Sequence, residues 1–93
     1  MEDNEKRSYI KEKLEELGYR SENITVVEEG KEVESLVKGD WEIDLYPLTI
    51  KIWHKHRLLL DVYFRHMTEI SFSSMFDTDR IHIDMGISWF NIF

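Results

Sequence analysis

His54 and His56 stand two residues apart, as do His82 and Asp84. On extended strands such pairs project from one face, which is the spacing a divalent metal needs. With Asp61 or His66 as further ligands they would form a nitrogen and oxygen site suited to zinc, iron or manganese, and hence a small metal-dependent enzyme. Two features oppose this reading. His54 to Arg57 has the composition of a hairpin tip, where Lys55 and Arg57 would repel a cation. His82 and Asp84 alternate with Ile81 and Ile83, so an outward ion pair beside an inward apolar row explains their spacing. The expectation is no bound metal, with His54, His56, His82 and Asp84 as the alternative set.

Nucleophilic catalysis has even less support. Ser71, Ser73, Ser74 and Ser88 have neither an elbow motif nor an oxyanion-forming glycine pattern around them, and the four glycines are isolated and make no phosphate-cradling loop. No cofactor and no catalytic residue are expected. The absence of cysteine excludes disulfides and thiolate chemistry and makes the cytoplasm the simplest compartment. The charged start, MEDNEKRSYIKEK, does not read as a secretory signal, and no apolar run approaches the roughly 20 residues of a membrane span.

Charge is the stronger clue. The net charge is −7, which opposes the phosphate neutralisation behind direct nucleic-acid binding. Residues 1–46 carry 14 acids against 7 Lys/Arg, and residues 47–93 carry 5 of each. Glu28, Glu29, Glu32, Glu34, Asp40, Glu42 and Asp44 crowd one stretch against only Lys31 and Lys38. If residues 32–37 and 41–46 pair, Glu32 and Glu34 oppose Glu42 and Asp44. Like charges facing across a ladder destabilise it, so such a band suggests a surface kept for a basic partner. The plainer account is a solubility device, partly neutralised by Lys51.

Aromatic residues add a second clue. In Leu48 to Phe64, alternate apolar residues flank a basic patch, as in a hairpin with one buried side. Trp53, Leu59 and Tyr63 then fall on the opposite face, among Lys51, Asp61 and Arg65. Exposed aromatics beside arginine are common interface anchors, and an uncovered sheet face would also favour a homodimer. Trp89, Phe90 and Phe93 crowd the last five residues and read better as core.

The elements that must position these residues follow from periodicity. Residues 4–17 read as a helix, with Ile10, Leu14 and Leu17 in one stripe, Asp3 or Asn4 as cap and Gly18 as stop. A polar segment, 19–23, leads to a strand at 24–27. Residues 32–37 fit either a strand, which is favoured, or a helical turn. Strands follow at 41–46, on either side of 54–57, at 68–74 and at 81–85, with a turn at Asp77, Thr78 and Asp79 and a bend permitted at Gly86. Pro47 marks a turn or a sheet edge. The expected fold is α+β, one domain over 1–93 with the N-terminal helix packed on one antiparallel meander of about five or six strands.

By fold-level analogy, a helix on an antiparallel sheet with heavy acidity is similar to small inhibitory or immunity proteins of phages and bacteria, some of which imitate DNA. The leading expectation is therefore a non-catalytic module that docks on a basic protein, including enzymes that normally hold nucleic acid. Glu28, Glu29, Glu32, Glu34, Glu42 and Asp44 would supply charge, with Trp53 and Tyr63 as anchors. The metal-dependent enzyme and a self-associating accessory subunit are the alternatives.

Overall fold

The computed structural model describes residues 2–27, 31–75, 78–84 and 89–92, with side chains at 2–22, 33–71 and 80–83. Helix α1 (Asp3–Glu16) buries Ile10 and Leu14, one turn apart, and turns charge elsewhere. Its N-cap is Glu2, in extended conformation and without a side-chain cap bond. Asp3, expected as a cap, instead lies in the first turn with Glu5, where the helix dipole favours negative charge. At the other end the Gly18 N–H donates to the Glu15 carbonyl and the Tyr19 N–H to the Leu14 carbonyl, both at 3.0 Å. This double closure requires a left-handed residue, and Gly18 supplies it at φ +96°.

Five strands then run in sequential antiparallel order: β1 (Arg20–Val27), β2 (Lys31–Lys38), β3 (Trp41–Leu45), β4 (Thr49–His54) and β5 (Arg57–Tyr63). The ambiguous segment 32–37 is strand, because both of its neighbours complete a ladder with it. Of the polar connection expected from Tyr19 to Asn23, Arg20 to Asn23 instead start β1, and Tyr19 is buried in the core. The chain bends at Pro47, where the Tyr46 N–H donates to the Thr49 carbonyl at 2.9 Å.

A 3₁₀ turn, Phe64–His66, leads to a second antiparallel sheet of β6 (Glu69–Met75), β7 (Thr78–Asp84) and β8 (Trp89–Ile92). Thr78 and Asp79, expected in a turn, pair with Met75 and Ser74. Asp77, Met85 and Gly86 lie outside the described residues, as does the Trp89, Phe90 and Phe93 side-chain cluster. The α+β class and the helix on an antiparallel meander agree with the sequence reading; the strands beyond Tyr63 form their own sheet.

One core unites these parts. Ile10 and Leu14 of α1, Leu36, Ile43, Leu45, Ile50 and Ile52 of the large sheet, Phe64, Met67, and Ile81 and Ile83 of the small one form a single cluster. Each such side chain stabilises by about 1.5 to 3 kcal/mol on burial. The partners on the large sheet all share one face, so α1 and the small sheet cover the same side. The outer face, carrying Ser35, Val37, Glu42, Asp44, Lys51, Trp53, Asp61 and Tyr63, contributes nothing to that cluster.

Candidate binding face and its end cleft

The two-residue turn Gly39–Asp40 sets Lys38 opposite Trp41, and with it the whole register of β2 against β3. Ser35 then faces Asp44, Val37 faces Glu42, and Glu34 faces Leu45. The expected opposition of Glu32 and Glu34 to Glu42 and Asp44 does not occur. A ladder shifted by one residue moves every side chain to the other face, and the turn chose the other alignment. Glu34 therefore lies on the helix side, 2.8 Å from the Lys11 ammonium, and accepts a hydrogen bond from Ser21 Oγ at 3.0 Å. Burial pushes its carboxyl up, but these bonds outweigh that and hold it below the usual glutamate value. The same bond raises the Lys11 ammonium.

The acidic band is thus divided between faces. Glu28 and Glu29 lie outside the described residues, and Glu32 pairs with Val26, its side chain likewise outside them. Only Glu42 and Asp44 of the six reach the outer face among the described side chains. Asp44 is 7% exposed, and its two oxygens accept from Ser35 Oγ at 2.8 Å and Trp53 Nε1 at 3.0 Å. A buried carboxylate needs such partners, and this one fixes the Trp53 ring in return. Cross-strand Lys51 instead holds its ammonium 4.7 Å from the Tyr46 ring centre.

Glu42 sits between Val37 and Trp53 on neighbouring strands. Burial first, then its hydrogen bond with Asp44 and that residue's charge, raise its carboxyl above the usual value, while His56 opposes the shift. No ion pair joins it to another described residue.

At this end of the sheet the turns of two hairpins lie side by side, joined by a 2.9 Å bond from the Lys55 N–H to the Asp40 carbonyl. Between them opens a cleft of about 420 Å³, lined by Val37, Gly39, Trp41, Glu42 and Trp53, with Asp40, Lys55 and His56 at its rim. Trp41 is braced by the His54 ring, with centroids 4.2 Å apart. Lys55 and His56 both adopt left-handed backbone, at φ 51° and 65°. A two-residue hairpin turn demands that geometry, and asparagine and glycine adopt it at less cost than these residues do.

Further along the face, Leu58, Leu59 and Tyr63 on edge strand β5 are 42%, 46% and 44% exposed. The Arg65 guanidinium lies 4.9 Å from the Tyr63 ring centre. The sequence reading placed Trp53, Leu59 and Tyr63 together on this side; it did not find the cleft, whose only signal was a tight turn lacking its customary residues. It also missed how α1 spends its cations. Lys6 Nζ donates to the carbonyls of Phe64 and Met67 at 2.7 and 3.0 Å, and Arg7 to that of Leu45 at 3.0 Å. Glu12, Glu15 and Glu16 are left exposed.

The alternative metal set is scattered. His54 stacks on Trp41, His56 occupies the turn, and His82 and Asp84 belong to the small sheet. No three His, Asp or Glu residues group together among the described residues. No helix of the described residues is long and apolar enough to cross a membrane. Comparison of the chain with protein-family models, curated proteins and solved structures finds no match.

Proposed function

We propose that the protein is a non-catalytic binding module that docks a basic protein through the outer face of its large sheet. The observation that carries this reading is the combination of exposed Leu58, Leu59 and Tyr63 with a Trp53 ring already fixed by buried Asp44. Fixed aromatic anchors surrounded by polar groups bind at low entropic cost. A net charge of −7 supplies long-range attraction to a basic partner. Glu42 and Asp61 provide carboxylates on that face, whereas Glu34 is occupied by Lys11.

Affinity capture from the source organism, at low and high salt, tests the proposal. The unaltered protein should retain a basic protein at low salt and release it at high salt, and Leu59→Ser/Tyr63→Ser should not retain it. Equal capture by that variant, or capture indifferent to salt, contradicts the reading. Both substitutions are at exposed positions, where effects on stability are commonly within about 0.5 kcal/mol.

A further inference from the structure

We propose that the cleft between the two turns is an arginine pocket: a guanidinium from the partner lies against Trp53 and is held by the Glu42 carboxylate, with Asp40 at the rim. This deepens the docking proposal and rests on it. Three observations support it.

The first is charge. Asp40 and Glu42 line the cleft against Lys55 alone among permanently charged cations, and Asp44 adds negative charge behind Trp53. An anion has little to gain there. A metal lacks ligands, because no three His, Asp or Glu residues converge among the described residues. An organic cation fits the imbalance.

The second is the unused carboxylate. Asp44 is satisfied by Ser35 and Trp53, whereas Glu42 makes no ion pair with another described residue. Two neighbouring carboxyls, both partly removed from water, gain from an added positive charge. Among organic cations, guanidinium matches the site best. Its plane stacks on an indole while its edge bonds a carboxylate, which a compact ammonium cannot do in one pose.

The third is the turn. Left-handed backbone at two successive non-glycine residues brings each Cβ against its own carbonyl and is disfavoured. Such strain concentrates at functional sites. Here it places Lys55 and His56 at the rim and locks the cleft through the bond to Asp40.

The test uses N-acetyl-arginine amide, N-acetyl-lysine amide and the neutral isostere N-acetyl-citrulline amide, titrated at pH 7 while the Trp53 indole N–H is followed by NMR. Arginine amide should give saturable shifts, lysine amide should bind several-fold more weakly, and citrulline amide roughly tenfold or more weakly. Glu42→Gln should weaken arginine amide by roughly tenfold, and the same change at Glu12 on the exposed helix flank, Glu12→Gln, should not weaken it. The pocket is refuted by citrulline binding as tightly as arginine, by no shift with arginine, or by indifference to Glu42→Gln. The citrulline comparison uses the unaltered protein, so no variant has to fold for the idea to fail. Capture that survives alongside an arginine-blind cleft would leave docking intact and remove only the pocket; arginine binding without face-dependent capture would do the reverse.

Discussion

At the scale of single residues, Asp44 and Glu42 are adjacent acids with opposite roles. Asp44 is structural: Asp44→Ala would leave the Trp53 N–H and Ser35 hydroxyl without their acceptor and should cost about 2 to 3 kcal/mol in urea unfolding. A double-mutant cycle with Trp53→Phe should return a coupling well above 0.5 kcal/mol. Additive effects would mean that the bond contributes nothing. Glu42 lowers the stability of the fold at neutral pH. Its carboxyl is raised in the folded protein, so its contribution is fully present below the unfolded glutamate value and is lost as pH rises through the raised one. Glu42→Gln should therefore stabilise the fold at pH 7, and that advantage should vanish by about pH 4. Glu34 has the opposite sign: its lowered carboxyl favours the fold above the unfolded value and ceases to do so as pH falls through the lowered one. A Glu42→Gln protein less stable at neutral pH would contradict this assignment.

At the scale of elements, the tightest turns decide what the sheet presents. Lys55→Asn/His56→Gly supplies the residues that a two-residue hairpin prefers and should raise the unfolding free energy by about 1 to 2 kcal/mol, read from the urea midpoint. A loss of stability would show that the two side chains hold the turn themselves. The same turns mark the boundary of what could be read from residues. The helix was legible in Ile10, Leu14 and Gly18, and β3 to β5 in the alternation of Ile43, Leu45, Ile50, Ile52, Leu60 and Val62, because burial on one face imposes the period. Leu48 and Leu58, which the same alternation placed inward, are exposed, the latter where the register shifts opposite Ile52 and Trp53. The outward set of Trp53, Leu59 and Tyr63 followed from that alternation. The alignment of β2 with β3 was not legible. Strand periodicity leaves a one-residue ambiguity that only the loop length between Lys38 and Trp41 resolves, and it moved Glu34 to the helix side. Nor could pattern alone anticipate that Lys6 and Arg7 would reach inward to carbonyls of residues 38 to 61 positions away.

At the scale of the whole molecule, two surfaces are open to the basic partner proposed above. One is the outer sheet face with Glu42, Trp53, Asp61 and Tyr63; the other is the exposed flank of α1, with Glu12, Glu15 and Glu16. Charge favours the helix, and fixed aromatic area favours the sheet. Because buried apolar and aromatic anchors carry most interface energy while exposed charges mainly speed encounter, the sheet face should make the contact and the helix should steer. A second copy of the chain suits this face less well. It would bring two charges of −7 together, and the register shift opposite Ile52 and Trp53 distorts the β5 edge that strand addition would use. Carbodiimide labelling of carboxylates in the isolated complex separates the two surfaces most directly. The account predicts that Glu42 and Asp61 lose reactivity on binding while Glu12, Glu15 and Glu16 react as in the free protein; protection of the helix glutamates with Glu42 and Asp61 unchanged would contradict it.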